Sequence, residues 1–374
     1  MAGTTRPGLY VHVPFCRTKC PYCAFKSTTE TARIGDWLSA LEREAEGRRG
    51  LFGWYDTLYV GGGTPSVLSD ADLRRLMGTL LGTFHFTRDL EATIEVNPGD
   101  VDEAKAELLY GLGFNRISMG VQSFVQPELE FLGRRHNAAR ALWSFDVFRG
   151  AGFESLGLDL IQGLPGQTVE ARLESLKRAV ELGPEHLSCY ELGFEPGTPF
   201  YEARRKGKLS PPDGDAAAEG FLATSEYLED SGFLHYEVSN YARDERHRSR
   251  HNRKYWRHVP VLGLGPAAHS FDGRTRWWNV PDVAEYCRRL GSGDSAVQET
   301  EDLGPDQLRL ERLALGFRTR EGVDRKNLGD VARAQSLLDR LVMEGLVTVS
   351  DTRVQPTREG LCVADGLARG FCDL

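Results

Sequence analysis

Residues 9–25 of the chain read LYVHVPFCRTKCPYCAF, a short run of strand-forming residues followed by three closely spaced cysteines. Cys16, Cys20 and Cys23 form a C-x3-C-x2-C pattern with no fourth cysteine at a matching distance. Because iron–sulfur clusters are ligated by cysteine thiolates, three such residues can hold three corners of a cubane [4Fe–4S] cluster. The fourth iron then lacks a protein ligand and can take a small molecule. We therefore predict a cluster in the loop after the first strand.

Zinc, a disulfide and unligated thiols are the alternatives to a cluster. A structural zinc site uses four closed ligands. His12 could supply the fourth ligand, but it lies on the predicted strand before Pro14, a poor position from which to close a small loop. A disulfide would use two thiols and leave the third without a partner. The spacing therefore favours the cluster over each alternative.

The bulk composition of the 374 residues, 40% apolar and 27% charged, is that of an ordinary globular protein. A formal net charge of −8 argues against nucleic acid or an anionic membrane surface as the main partner. No apolar run approaches the roughly 20 residues that span a bilayer, so stable membrane insertion is not expected. The N-terminus shows no secretory signal, and seven cysteines, three of them in one loop, fit a reducing compartment. The expected location is cytoplasmic.

Strand-like and helix-like segments alternate through the first half of the chain. The strand-like runs are Leu9–Phe15, Thr57–Gly63, Leu90–Pro98, Arg116–Ser123, Ser155–Leu164 and His186–Phe194. The amphipathic segments between them are Ile34–Arg49, Asp70–Leu81, Val101–Leu112, Ala138–Gly150 and Thr168–Leu182. This alternation predicts βαβ units and a parallel sheet. We expect an α/β fold, a partial (β/α)6 barrel of the TIM type, with its chemistry at the carboxyl ends of the strands.

Polar residues lie at the carboxyl ends of several predicted strands. Gly61–Pro65 follows the second strand, Glu95 ends the third, Gln122 ends the fourth, and Asp159 lies on the fifth. The glycine triplet would let the backbone approach a ligand and offer free amide groups, although a tight turn is the simpler alternative. Each polar residue alone is more often structural, but their convergence on the cysteine loop indicates a binding site.

The cysteine pattern with an aromatic residue before its last cysteine, followed by GGGTP, resembles the radical S-adenosylmethionine (SAM) superfamily. The segments YVHVPFC, GGGTPS, IEVNPGD, FNRISMGVQSF, LDLIQGLPGQT and HLSCYELGFEPGTPF resemble the branch of oxygen-independent coproporphyrinogen III dehydrogenase (HemN) and the haem chaperones (HemW). The resemblance runs nearly the whole length of the chain. It implies a [4Fe–4S] cluster on the three cysteines, with SAM chelating the open iron. The SAM site that it implies is lined by Tyr10, Tyr22, Gly62, Gly63, Thr64, Glu95, Gln122, Arg134 and Asp159.

A basic and aromatic stretch at Arg243–Trp256 contains a second motif. If residues 250–256 are helical, His251 and Tyr255 share one face at i,i+4 spacing. An imidazole can ligate haem iron, whereas the simpler interpretation is a solvated basic segment with a capping histidine and asparagine. The stretch resembles the H-N-x-x-Y-W motif of the haem-chaperone members of the branch. The haem-contact residues implied by that resemblance are His251, Asn252, Tyr255 and Trp256.

We predict three parts: the barrel at residues 1–200, an accessory segment with the haem motif at residues 201–300, and a C-terminal domain at residues 301–374. The accessory segment is predicted to contain a helix at Ala216–Ser231 and a strand at Phe233–Asn240. The C-terminal pattern is helix, helix and two-stranded wing, at residues 308–315, 331–344, 345–349 and 354–357. It resembles the winged-helix-like α+β domain of the branch. Alternating charges argue against nucleic-acid binding by this domain.

Two functional hypotheses need the same barrel and cluster. The first is a haem chaperone that binds haem and delivers it to acceptor haemoproteins, and a homodimer is compatible with this role. The second is an enzyme that oxidatively decarboxylates two propionates of coproporphyrinogen III.

Dehydrogenase-type members carry another cysteine two places after the third ligand, where this chain has Phe25, so the chaperone is favoured. Ala24 and Arg253 stand where the chaperones commonly have aspartate and leucine. These departures leave room for a HemN-like enzyme of another pathway, such as methyl transfer or cyclopropanation.

Overall fold

A computed structural model describes residues 6–329 and 331–372 of the chain. In this part, six strands lie side by side in chain order, and all neighbours are parallel. They are β1 (Gly8–Val13), β2 (Trp54–Gly62), β3 (His85–Val96), β4 (Arg116–Gln122), β5 (Ser155–Gln162) and β6 (His186–Glu191). The accompanying helices are α1 (Ile34–Gly47), α2 (Asp70–Thr83), α3 (Glu103–Gly111), α4 (Gln126–Phe131), α5 (Ala138–Gly150) and α6 (Val169–Glu181). The predicted α/β partial barrel is confirmed, and only the short α4 was outside the sequence pattern.

The helices begin where the sequence supplies a capping side chain. Ser69 and Asp72 form a capping box at the start of α2, each side chain accepting from the other's backbone amide at 3.2 Å. Asp102 caps α3, and Thr168 caps α6, by accepting from the amide three residues later. These bonds satisfy amides that the first helical turn leaves unpaired.

Side chains of the barrel strands alternate between two environments, as the two-residue period of a strand requires. In β2, Leu58 and Val60 belong to the main hydrophobic core, whereas Tyr59 between them faces the barrel interior. In β4, Ile117 joins the core, and Ser118 faces the interior. The apolar rows attach the strands to the helices. The inward rows are polar, so the centre of the barrel is open rather than filled by apolar side chains.

The accessory segment extends the same sheet at both edges. Its elements are α7 (Pro199–Arg205), α8 (Gly214–Asp230), β7 (Leu234–Glu237), β8 (Asn240–Ala242), α9 (Arg250–Trp256), β9 (Val261–Leu264), β10 (His269–Phe271), β11 (Thr275–Asn279), α10 (Val283–Gly291) and β12 (Val297–Asp302). Within the described residues the sheet has twelve strands, in the order β12-β11-β10-β9-β1-β2-β3-β4-β5-β6-β8-β7. β9 runs parallel to β1, and β8 runs antiparallel to β6.

The single strand predicted at Phe233–Asn240 is wrong, because the chain reverses within it to form β7 and β8. The carboxylate of Glu237 accepts from the backbone amide of Ser239 at 3.0 Å and from the side-chain amide of Asn240 at 2.7 Å. These local bonds stabilise the turn and offer the backbone an alternative to continued strand pairing.

The C-terminal part has a hydrophobic cluster of its own, which includes Leu313, Phe317, Leu338 and Phe371. Its elements are α11 (Pro305–Gly316), β13 (Val323–Asp324), α12 (Val331–Met343), β14 (Val347–Val349), β15 (Arg353–Pro356), α13 (Arg358–Cys362) and α14 (Ala364–Gly370). The two helices and the wing strands lie where the pattern predicts them, and β13 adds a third strand. The division into three parts stays a prediction. A search of the described residues finds no helix with the length and apolar character needed to cross a membrane.

Candidate functional site

A cavity of about 580 Å³ occupies the barrel interior, lined by side chains of β2 to β6 and by the cysteine loop after β1. Eleven of the residues predicted to hold cofactors line it: Cys16, Cys20, Cys23, Tyr22, Gly62, Gly63, Thr64, Glu95, Gln122, Arg134 and Asp159. Tyr10 does not line it, because its ring packs against the ring of Tyr59 and its hydroxyl lies 3.1 Å from His12 Nδ1. We call the carboxyl ends of these strands the mouth of the barrel.

Backbone hydrogen bonds hold the cysteine loop at the mouth. The amide of Cys16 donates to the Thr28 carbonyl at 2.9 Å, and the amide of Thr28 donates to the Pro14 carbonyl at 2.7 Å. Phe15 is fully buried and packs edge-on against Trp37 of α1. The start of the loop is therefore part of the core, while Cys20 and Cys23 face the cavity and are only partly buried.

The donor set fits an iron–sulfur cluster better than a single metal ion. All three thiols are free, and no group of three or more histidine, cysteine or acidic side chains in the described residues could hold one ion. Each thiolate of a cubane cluster binds a different iron, so the ligands need not converge on one point. His12 is not available as a zinc ligand here, because its two ring nitrogens contact the Tyr10 hydroxyl and the Lys26 carbonyl.

The glycine triplet after β2 packs against the cysteine loop. The amide of Gly63 donates to the Val13 carbonyl at 2.8 Å, and the amide of Thr64 donates to the Phe15 carbonyl at 2.7 Å. A Cβ on Gly63 would lie 2.7 Å from the Phe15 carbonyl oxygen, and Gly62 has a φ of +107°. The expectation of free amides at Gly62 and Gly63 is therefore wrong. Glycine is required here because the two loops approach each other so closely.

Two carboxylates lie on the cavity wall. Glu95 accepts from the Tyr59 hydroxyl at 2.8 Å and from the Gly62 amide at 3.0 Å, and Asp159 accepts from the Ser118 hydroxyl at 2.9 Å. Enclosure in the barrel, with a smaller contribution from the charge of Asp159, raises the pKa of Glu95 to about 7, although its hydrogen bonds oppose the rise. Enclosure also raises the pKa of Asp159. A positively charged ligand group here would offset this desolvation cost.

Gln122 and Arg134 show features of a site built for a ligand. Gln122 has a φ of +70°, a region that a non-glycine residue rarely adopts, and its Oε1 is buried without a hydrogen-bond partner. Arg134 donates through Nη2 to the Gly120 carbonyl at 2.7 Å, and its Nη1 lies 3.4 Å from Cys20 Sγ. A strained residue with an unpartnered oxygen in a cavity wall is the arrangement expected where a ligand group completes the bonding.

The helix α9, which contains the second motif, lies at the opposite end of the barrel, and we call that end the floor. His251 Nδ1 lies 2.9 Å from the Thr57 hydroxyl, and the His251 amide donates to Glu91 at 2.9 Å. Lys254 pairs with Asp56 at 2.6 Å. These contacts attach α9 to β2 and β3 near their amino ends.

The four motif residues of α9 have different environments. Asn252 lines the cavity from below. His251 is 1% exposed, and its Nε2 lies 3.1 Å from the Tyr255 hydroxyl, so both ring nitrogens have protein partners. Burial lowers the pKa of His251 to about 3, which keeps the imidazole neutral. The Trp256 ring packs against Tyr236. The solvated segment proposed as the simpler alternative is wrong at His251.

Sequence reasoning missed several residues of the cavity wall, among them Tyr59, Thr93, Arg116, His186 and Ser188. The signal was present as alternation: in each barrel strand a polar residue at every second position interrupts an otherwise apolar run. The predicted site includes mainly residues at the carboxyl ends of the strands. The inward-facing residues nearer the floor are therefore absent from it.

Comparison with known proteins identifies the family of this chain. Residues 10–179 match the model of the radical SAM superfamily. The chain is 34% identical to the haem chaperone HemW of Bacillus subtilis, covering 97% of this chain and 98% of that one. It is 35% identical to HemW of Mycobacterium tuberculosis, covering 97% and 94%. The solved structure of coproporphyrinogen III oxidase (HemN) from Escherichia coli, a radical SAM enzyme, superposes with a TM-score of 0.84 at 28% identity, covering 98% of this chain and 90% of that one. The chain therefore belongs to the radical SAM superfamily, in the branch that contains the HemW and HemN proteins.

Proposed function

We propose that this chain is a haem chaperone of the HemW type, which binds a [4Fe–4S] cluster, SAM and haem and delivers haem to acceptor haemoproteins. The observation that carries the proposal is the similarity to HemW proteins along almost the entire length of both chains. Family membership alone implies the cluster and SAM, whereas haem as cargo comes from the names of those relatives.

The cofactor part of the proposal assigns roles at the mouth. Cys16, Cys20 and Cys23 would hold the cluster, which, when bound, supplies an electron to SAM. Glu95 and Asp159 would accept hydrogen bonds from the SAM ammonium and ribose hydroxyls. Arg134, beside Cys20, would offset the negative charge of the thiolates. Of the remaining proposed SAM contacts, Tyr22, Gly62, Gly63, Thr64 and Gln122 line the cavity, whereas Tyr10 does not and packs against Tyr59.

The haem part of the proposal concerns the floor. Of the proposed contacts His251, Asn252, Tyr255 and Trp256, Asn252 is the one in the cavity wall. Tyr255 is 40% exposed. Ligation of iron by His251 would require its contact with Tyr255 or Thr57 to break, so the buried histidine acts first by positioning α9. We propose Asn252 as the motif residue that meets haem in the arrangement described.

The alternative function is coproporphyrinogen III dehydrogenase, and the close superposition on HemN favours it as second candidate. Phe25 argues against it, because dehydrogenase-type members carry a cysteine at that position. The Phe25 side chain lines the cavity and is 65% exposed, so a thiol there would have been accessible to a ligand.

One anaerobic experiment separates the two functions. The cluster-reconstituted protein is incubated with coproporphyrinogen III, SAM and a reductant, and a second sample is titrated with haemin. A chaperone develops a Soret band with haemin and forms no protoporphyrinogen. A dehydrogenase forms protoporphyrinogen and releases carbon dioxide, which would overturn the proposal in favour of the alternative. Transfer is then measured as recovery of activity in a haem-free acceptor enzyme mixed with the loaded protein.

A further inference from the structure

We propose that Arg116 forms a second, anion-binding subsite at the floor of the barrel, which takes the carboxylate group of a ligand. Arg116 begins β4 and is 5% exposed. It lies two residues before Ser118, roughly 7 Å further from the mouth at ~3.3 Å per residue. It lines the main cavity and also a second cavity of about 540 Å³ on the floor side. The guanidinium therefore stands between the two cavities.

The guanidinium of Arg116 is only partly used by the protein. Its Nη1 donates to the Ser155 hydroxyl at 3.2 Å and to the His247 carbonyl at 2.9 Å. In the part of the chain that the structure describes, Nε and Nη2 have no hydrogen-bond partner, and no carboxylate forms an ion pair with this side chain. The charge of Asp159 acts on this side chain from beyond ion-pair distance, so the desolvation cost of the buried cation is only partly offset. The free edge of an arginine fork matches the two oxygens of a carboxylate.

Two neighbouring polar groups are also unpartnered. Thr93 is paired with Arg116 in the β3–β4 register and is fully buried. Thr93 belongs to the wall of the main cavity, and its buried hydroxyl has no hydrogen-bond partner in the described residues. Asn252 of α9 belongs to the wall of the same cavity, and its side chain makes no hydrogen bond within that part of the chain, whereas its backbone amide donates to Ser249. Guanidinium, hydroxyl and amide together supply the donors that a buried carboxylate needs.

A purely structural role for Arg116 explains fewer of these observations than a ligand-binding role does. The Nη1 contact with the His247 carbonyl attaches the segment before α9 to the floor, and burial raises the pKa of the nearby Asp159 while the Arg116 charge opposes that rise. Neither effect accounts for the unpartnered Thr93 hydroxyl beside the free guanidinium edge. The wall of the main cavity would then contain three groups with unused hydrogen-bonding capacity, which native interiors seldom tolerate.

The carboxylate could come from two sources. A propionate of haem entering through the mouth is the first, and this source rests on the proposed function. A small free acid is the second. It would enter from the second cavity, whose wall carries Arg88, Arg246 and Arg250 together with Asp89, Glu91 and Glu154. The same chemistry serves both sources, so the experiment must distinguish them.

The test uses the full-length, cluster-reconstituted protein and Arg116→Gln, with haemin, haemin dimethyl ester and succinate as probes. If haem is the source, Arg116→Gln weakens haemin binding about tenfold but leaves binding of the ester unchanged. If a free acid is the source, succinate raises the melting temperature of the wild type saturably, Arg116→Gln abolishes that shift, and haemin binding is unaffected. Equal behaviour of wild type and variant toward all three probes would overturn the subsite.

Two further variants keep the result interpretable. Thr93→Val preserves the volume and removes one donor, so it should weaken the same probe several-fold, and it takes over the test if Arg116→Gln fails to fold. Arg288→Gln on the exposed side of α10 is the matched control and should change nothing. If the wild type binds no haemin at all, the chaperone proposal fails, while the succinate arm still decides the floor subsite.

Discussion

The mouth and the floor of the barrel contain the two motifs of the sequence, and they are built in opposite ways. At the mouth, Cys20 and Cys23 are partly exposed thiols that face a cavity, on a loop held by its backbone. At the floor, His251 is buried, neutral and bonded through both ring nitrogens. The cysteine motif presents side chains that the fold does not need for its stability. The motif of α9 contains His251, whose ring nitrogens are both hydrogen-bonded within the fold.

This contrast shows that a motif match alone does not separate ligands from supports. Aromatic rings surround His251, with the Tyr59 ring centre at 5.2 Å and the Tyr10 ring centre at 6.3 Å. Tyr59 in turn donates to Glu95 on the cavity wall. His251 at the floor is therefore connected to Glu95 at the mouth indirectly, through the ring of Tyr59. Three substitution experiments test this difference between the mouth and the floor.

The largest expected effect is at the mouth. Cys20→Ala should lower iron content from about four per chain to near zero, since a cubane held by two thiolates lacks a corner. The circular dichroism spectrum should stay unchanged, because backbone bonds rather than the thiol hold the loop. Iron is measured after anaerobic reconstitution, with Cys287→Ala on α10 as the control that keeps its iron. Retained iron in Cys20→Ala, or global unfolding, would contradict the comparison.

At the floor the expected effect is on stability. His251→Ala should lower the free energy of unfolding by about 2–4 kcal/mol, because it leaves a cavity and removes the partner of the buried Thr57 hydroxyl. Urea titration measures the change, with the exposed His85→Ala as control, expected within about 0.5 kcal/mol of wild type. A variant that keeps full stability but loses the haemin Soret band would instead make His251 a ligand and erase the contrast.

The smallest effect is a pH dependence of the same residue. The folded-state pKa of His251 is about 3, below the unfolded value of about 6.5. The unfolded chain therefore takes up a proton first as the pH falls, and the native state loses stability from about pH 6.5 downward. His251→Gln removes this loss. The stability advantage of wild type over the variant should shrink by about 1 kcal/mol between pH 7.5 and 5.5, and a constant gap would show that the imidazole is not held neutral.

Much of the barrel could be predicted from local pattern. The strands at Arg116–Gln122 and Ser155–Gln162 begin at the predicted residues, and α5 has the predicted bounds, because alternation, capping and glycine punctuation are local signals. The turn inside Phe233–Asn240 was missed, since it depends on the Glu237 side chain bonding to backbone and side chain beyond it. The amides of the glycine triplet were misassigned because their acceptors, the Val13 carbonyl for Gly63 and the Glu95 carboxylate for Gly62, belong to other strands far away in the chain.

By itself, the sequence determined the cysteine loop and the positions of the six barrel strands, since each follows from spacing along a single strand or turn. Only the tertiary structure decided that β9 inserts beside β1, that α9 closes the floor, and that Arg116 lies between two cavities. Those placements depend on contacts between segments far apart in the chain, such as His251 with Thr57 and Arg116 with His247. No local period encodes such contacts, because they arise when packed surfaces meet after the strands have paired.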